Sequence, residues 1–169
     1  ENCYIVGDES IHQGIIIDPG DEADRIVRTV EQLGLTVEKI INTHAHIDHV
    51  GAVAPLKRLL GVTFALHAGD VPVLASVPMQ AQLFGLPSLE APTIDRHLSD
   101  GETIAIGTSK ATVLATPGHS PGGCCFYFAE QGVVCTGDTL FAGSIGRTDL
   151  PGGNMETLLN SIRARLLTL

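Results

Sequence analysis

An α/β fold, with β-sheets covered by helices, is what this 169-residue sequence predicts. Three observations carry that expectation. Strand-like and helix-like segments alternate from the start. Apolar runs are broken by Gly, Pro and Asp, and helical periodicity returns at the end after a run of strands. The length suits one domain over residues 1–169, enough chain to bury a core of its own.

The elements follow in order. Cys3-Tyr4-Ile5-Val6 and Gly14-Ile15-Ile16-Ile17-Asp18 read as two short strands, and Asp18-Pro19-Gly20 breaks the second. Ala23, Ile26, Val27, Val30 and Leu33 recur at helical spacing, with Gly34 as a stop. Lys39-Ile40-Ile41-Asn42-Thr43 is a buried strand running straight into His44. A helix is expected over Val53 to Leu60, with Pro55 in its first turn and Gly61 beyond its end. Val62 to Leu66 is a further strand. From Val71 to Arg96 periodicity fades around Pro72, Pro78, Pro87 and Pro92, which predicts a mobile loop or short helices over a site. Strands resume at Thr103–Ile106, Ala111–Ala115, Cys124–Phe128 and Val133–Cys135. Asn154 can cap a last helix whose Met155, Leu158, Leu159, Ile162 and Leu166 form one apolar face.

Composition narrows the function. A net charge of −9, from 19 acidic and 10 basic residues, argues against a nucleic-acid partner, which would be held through Lys and Arg. No apolar run reaches the roughly 18 residues of a membrane span. The start, Glu1-Asn2-Cys3-Tyr4, shows no basic stretch followed by an apolar one, so no secretion signal is legible. Cys3, Cys124, Cys125 and Cys135 include no Cys-x-x-Cys pair and read as reduced packing thiols of a cytoplasmic protein. Cys124 and Cys125, adjacent on a strand, point to opposite faces and make no shared metal site.

The decisive segment is Thr43-His44-Ala45-His46-Ile47-Asp48-His49. It places four ligand-type side chains within six residues, directly after a buried strand. Strand ends are where open α/β sheets aim side chains into one crevice. His44 and His46 share a parity and can face one ion; Asp48 and His49, at the turn into a helix, can address a second. Burying three imidazoles and a carboxylate beside apolar sequence is costly without a cation. Imidazole with carboxylate suits zinc, iron or manganese better than calcium. The same pattern recurs twice, where Thr116-Pro117-Gly118-His119 and Thr136-Gly137-Asp138 each follow a strand. The glycines allow sharp turns that present His119 and Asp138 at the same edge.

Thr43–His49, Thr116–His119 and Thr136–Asp138 resemble the T-H-x-H-x-D-H, P-G-H and G-D motifs of the metallo-β-lactamase superfamily, in the right order along the whole chain. Asp18-Pro19-Gly20 matches a turn near that family's site. Ser144-Ile145-Gly146-Arg147-Thr148-Asp149-Leu150-Pro151-Gly152-Gly153 is similar to its glyoxalase II-like branch, in the short form without a C-terminal helical domain. The resemblance implies an αββα sandwich, two mixed β-sheets flanked by helices. It implies that His44, His46 and His119 hold a first ion, that Asp48 and His49 contribute to a second, and that Asp138 bridges them. The family's first strand and a last histidine ligand find no counterpart within residues 1–169, so the chain is expected to be truncated at both ends and its second metal position incomplete.

The chemistry implied is hydrolysis of a small thioester or ester by hydroxide generated on one or two zinc ions, with iron or manganese suiting the same donors. Asp48 would orient the water and take its proton. Ser120 lacks the G-x-S-x-G setting of a nucleophilic serine. Arg147 could attract a substrate carboxylate, or pair with Asp149 two residues on. His12, His67 and His97 are expected not to be ligands. Two other readings stand beside this hydroxyacylglutathione hydrolase-like one: a persulfide dioxygenase with one iron on two histidines and an aspartate, and a truncated, inactive domain dimerising through a sheet edge. A β-lactamase is disfavoured by the Ser144–Gly153 segment, and a nuclease by the acidic balance.

Overall fold

Three consecutive isoleucines show how the layers arise. Successive side chains of a strand face opposite ways. Ile16 accordingly packs among helical residues, whereas Ile15 and Ile17 pack against a second sheet. All three are fully buried, each contributing about 1.5–3 kcal/mol of apolar transfer. A strand apolar on both faces belongs in the middle of a layered molecule.

The computed structural model describes residues 2–169. Strands β1 (Tyr4–Asp8) and β2 (Gln13–Ile17) form an antiparallel hairpin. Helix α1 (Ala23–Gln32) then carries the chain back to β3 (Thr36–Ile41), parallel to β2. Next come the single turn α2 (Ile47–Val50), α3 (Val53–Leu60) and β4 (Thr63–His67). Gly61 ends α3 in the left-handed conformation, with φ of 68°, as its place in the sequence implies. A 3₁₀ turn over Ala68–Asp70 leads into α4 (Val71–Ala75) and α5 (Val77–Leu83). The first half of the stretch of faded periodicity thus resolves into short helices, each with a proline in its first turn, where the missing N–H costs nothing, and residues 84–95 form no regular element. β5 (Arg96–Leu98) closes the first sheet, ordered β1-β2-β3-β4-β5.

The second sheet consists of β6 (Thr103–Ile106), β7 (Ser109–Ala115), β8 (Cys124–Phe128) and β9 (Val133–Cys135) in sequence order. Only the first sheet is mixed. The second is antiparallel throughout, because its strands follow one another through links too short for the crossover a parallel pair needs. A two-stranded ribbon, β10 (Leu140–Phe141) with β11 (Ser144–Ile145), follows. Helix α6 (Met155–Ser161) ends the chain and continues as a π-helical turn over Ile162–Leu166.

Three apolar interfaces bind four layers. Ile26 and Val30 of α1, with Val53 and Leu56 of α3, cover Ile16, Ile40, Phe64 and Leu66 of the first sheet. The opposite face of that sheet, with Ile15, Ile17, Ile41 and Ala65, meets Val113, Cys124, Phe126 and Phe128 of the second. Leu158, Ile162 and Leu166 pack on Leu114 and Cys125 from the far side. Cys124 and Cys125 thus lie in different interfaces, as their adjacency on a strand requires. The order of layers is helices, sheet, sheet, helix. Among the described residues no helix is long and apolar enough to cross a membrane.

Candidate metal centre

The site lies where strands of both sheets end. β3 stops at Ile41 rather than at Thr43, because the Thr43 N–H turns to the Asp18 carboxylate (2.7 Å) instead of a neighbouring strand. Asp18 itself follows β2 with φ of 52°, a left-handed conformation that Asp tolerates better than most residues. From Thr43 the chain delivers His44 and His46 and then the α2 turn, which carries Asp48 and His49. The Asn42 amide braces that turn by donating to the His49 carbonyl (2.7 Å). β7 ends in the turn that carries His119, and β9 in the turn that carries Asp138. Gly118 (φ 133°) lets its turn lie directly on Leu158 of α6, where any side chain would collide with helix backbone.

The histidines far apart in sequence converge. His46 Nδ1 lies 2.9 Å from His119 Nε2, which lies 3.2 Å from His44 Nε2. Their rings meet nearly edge-on, at interplanar angles of 83° to 89°. A second group, His44, His49 and Asp138, shares His44 with the first. Asp138 lies between the two, with Oδ1 3.2 Å from His49 Nε2 and Oδ2 3.6 Å from His119 Nε2. Asp48 belongs to neither group. Its side chain is 54% exposed, and Oδ2 stands 3.7 Å from His49 Nε2 at the rim.

Electrostatics divides the site. Burial, reinforced by the neighbouring imidazoles, holds His44 well below the usual histidine range. Burial and His119 lower His46 to about 4, against the pull of Asp48 and Asp138. These rings are neutral near pH 7, the form that binds metal. Burial works against charging His49 as well, but Asp138 and Asp18 outweigh it and raise that ring to about 10. Asp138 in turn is held low: burial would raise it, and His49 and His119 prevail.

Most of the rings are aimed by their second nitrogen. His119 Nδ1 donates to the Arg147 carbonyl (2.7 Å), and His49 Nδ1 to Asp18 Oδ2 (3.1 Å). The Thr43 hydroxyl donates to Asp18 (2.6 Å), leaving its oxygen to accept from His44 Nδ1 (3.1 Å). On His44 and His119 the bond fixes a tautomer whose Nε2 lone pair points into the site; on His49 it orients a ring that must shed its Nε2 proton before it can bind a cation.

These donors fit a transition metal. Ligand nitrogens around a tetrahedral zinc lie about 3.3 Å apart, given Zn–N bonds of about 2.0–2.1 Å. The spacings of 2.9 and 3.2 Å come close to that. Three lone pairs converging on one point cannot all be satisfied by hydrogen bonds among themselves. His49 Nε2 is buried without a hydrogen-bond partner; the nearby Asp138 oxygen is in range for charge attraction but not aligned as an acceptor. A cation would satisfy both groups.

The remaining candidates fall outside the two groups. The Arg147 guanidinium is committed to Asp149 through two hydrogen bonds of 2.7 and 2.8 Å, both side chains well exposed. What Arg147 brings to the centre is its main-chain carbonyl, which sequence reasoning did not find. His12 and His97 stay apart, and His67 accepts a bond from Gly69 N–H in the 3₁₀ turn. Also missed was Asp70, fully buried and hydrogen-bonded to both ligand-bearing loops. A signal was present: like Asp138, Asp70 follows a strand after a glycine, in His67-Ala68-Gly69-Asp70.

A four-layer α/β sandwich with histidines and aspartates gathered at its strand ends defines a metal-binding fold of the hydrolase type. The chain belongs to the metallo-beta-lactamase superfamily, which it matches over residues 1–168. The hydroxyacylglutathione hydrolase GloC of Haemophilus influenzae is 42% identical over 171 residues, covering 100% of this chain and 80% of that protein. The solved structure of the BLEG-1 B3 metallo-beta-lactamase superposes with a TM-score of 0.90 at 35% identity, over 99% of this chain and 81% of that one. TTHA1623, solved in a di-iron-bound form, gives 0.89 at 40% identity, over 100% and 82%.

Proposed function

We propose that this chain is a metal-dependent hydrolase of a small thioester or ester, similar to hydroxyacylglutathione hydrolase. The observation that carries the proposal is the convergence of His44, His46 and His119 on one point, with His49 and Asp138 directly beside it. The 42% identity to GloC supports the thioester class. In this reading His44, His46 and His119 would hold a first ion, His49 and Asp48 would contribute to a second, and Asp138 would be available to both. A zinc ion bound there supplies Lewis acidity, making water acidic enough to ionise near neutral pH and polarising a carbonyl oxygen.

The protein's own residues do the rest. His44 and His46 stay uncharged and offer lone pairs. The Thr43 hydroxyl aims the His44 ring, and the Arg147 carbonyl and Asp18 hold the rings of His119 and His49. Asp48, half in solvent beside His49, is placed to orient the attacking water and pass its proton outward. The Arg147 guanidinium would attract a substrate carboxylate only by leaving Asp149, its partner in a solvent-exposed and therefore weak pair. The acidic surface suits a small-molecule substrate rather than a nucleic acid, and the buried thiols of Cys124, Cys125 and Cys135 suit a reducing compartment such as the cytoplasm.

Metal content measured alongside activity tests this reading. Zinc in the protein together with cleavage of S-lactoylglutathione or a simple ester is expected, with loss of both on chelation. The di-iron-bound neighbour gives iron a place among the outcomes. One iron per chain, with oxygen uptake on a persulfide and no thioester cleavage, would replace the hydrolase by an oxygenase. Cleavage of a β-lactam alone would move the substrate class.

A further inference from the structure

The chain places a second buried carboxylate beside the centre, and nothing in the proposed chemistry uses it. Asp70 is 0% exposed. Its Oδ2 accepts from the Ala45 N–H (2.8 Å) and the Ser120 hydroxyl (2.9 Å), and its Oδ1 from the Gly122 N–H (2.5 Å). Ala45 lies between His44 and His46, and Ser120 follows His119. One carboxylate thus ties together the two loops whose side chains form the three-histidine cluster, though these loops are separated by more than 70 residues of sequence.

The packing leaves no substitute. A Cβ on Gly69 would stand 2.9 Å from both the Gly122 Cα and the Pro121 carbonyl oxygen, so the Asp70 turn is pressed against the His119 loop, backbone to backbone. Without the carboxylate, the N–H groups of Ala45 and Gly122 would be buried donors with no partner, the costly case for a hydrogen-bonding group.

His46 depends on this brace most. His44, His49 and His119 each have their second ring nitrogen held by an acceptor. The hydrogen-bond neighbour described for His46 is His119, inside the cluster itself. The aim of His46 therefore rests on the backbone at Ala45 and His46. Asp18 does not brace that backbone, since its bonds go to Thr43 and His49.

We propose that Asp70 is the positioning residue of the three-histidine cluster, setting its metal affinity by holding the His44–His46 and His119 loops in register. The proposal rests on the metal-centre reading above. Groups that orient ligands in this way typically change metal affinity by about 10–100-fold when removed.

The test uses the full chain, stripped with a chelator and titrated with Co²⁺, following the visible ligand-field bands and the Co²⁺ bound per chain. Asp70→Ala is expected to weaken the tightest Co²⁺ binding about 10–100-fold and to alter the bands. Asp70→Asn puts an NH₂ group where an acceptor is needed, and is expected to lie close to Asp70→Ala. Ser120→Ala removes one bond and keeps the carboxylate, so it is expected to weaken binding only severalfold, and it reads the effect even where Asp70→Ala folds poorly. Asp95→Ala is the control for a merely structural loss. Asp95 accepts from Lys57 and the Phe64 N–H away from the centre, so its loss is expected to lower thermal stability with Co²⁺ affinity and bands unchanged.

Unaltered affinity and bands in folded Asp70→Asn and Ser120→Ala would overturn the role of Asp70 while leaving the centre in place. If His119→Ala bound Co²⁺ as the unsubstituted chain does, the centre itself would be wrong.

Discussion

His46 and His49 stand three residues apart in one short motif, yet their surroundings drive them in opposite directions. His46 is pushed down to about 4 and His49 up to about 10. Both are buried, so burial does not make the difference. His49 faces the carboxylates of Asp18 and Asp138, whereas His46 faces another imidazole. The side of His44 and His46 is therefore a pair of neutral rings ready for a cation. The His49 side is already an ion-pair network, from which an incoming cation must displace a proton. A ligand motif read from sequence gives residue types; the two halves of the centre acquire their character from carboxylates elsewhere in the chain.

The sharpest way to break this contrast is to remove a ligand from the neutral side. His119→Ala is expected to cut hydrolytic activity by more than about a hundredfold, since even the loss of a ligand's supporting partner costs about 10–100-fold. Activity and zinc content measured together check it, and an active, fully loaded variant would sink the ligand role. On the ionic side the expected loss is in stability. Asp18→Asn keeps the shape and tolerates the left-handed backbone but removes a charge facing His49. Breaking a buried pair of this kind costs roughly 3 kcal/mol, to be read by denaturant unfolding of the chelated protein.

The two sides also give opposite pH dependences in the chelated protein. His46 has a folded-state pKa below its unfolded value of about 6.5, so the unfolded chain takes up its proton first. Its neutral burial costs nothing above that pH, and stability falls as pH drops from about 6.5 toward about 4. His49 has a raised folded-state pKa. Its contribution is complete below about 6.5 and is lost as pH rises toward about 10. Stability is thus expected to peak near neutrality, with each limb worth on the order of a few kcal/mol. Loss on one limb only would mean that one of the two environments has been misjudged.

How much of this was legible in sequence follows the same division. The motif Thr43–His49 and the turns at His119 and Asp138 are local patterns after apolar strands, so the convergence of these side chains could be anticipated from strand-end logic. Sheets covered by helices were legible from the order of segments, whereas the αββα layering was implied only by the resemblance that the motifs carry. What could not be read was the partnership of Asp18 with His49 and of Asp70 with Ala45 and Ser120. Such bonds join segments 25 to 50 residues apart and leave no periodic trace. The Arg147 carbonyl that holds His119 is main chain, and any residue type supplies one. Asp48, whose motif position suggests a place at the second ion, stands at the rim with Oδ2 3.7 Å from His49 Nε2.

The smallest expected effect concerns the support behind His119. Asn154 caps α6, its side chain accepting from the Thr157 N–H (2.9 Å), while its own N–H donates to the Gly118 carbonyl (2.8 Å). The Ser161 hydroxyl adds a bond to the Pro117 carbonyl (2.7 Å). The helix thus holds the turn that delivers His119, but through main-chain groups that most residues could supply. Asn154→Ala removes the cap and leaves the bond to Gly118, so it is expected to cost about 1 kcal/mol, a shift of about 2–4 °C in thermal midpoint. Metal affinity should stay within about twofold, because a cap of that size acts on the helix and not on the ring. A larger loss of affinity would mean that the neutral side of the centre is held by α6 as well as by the loops, which would blur the contrast between its two halves.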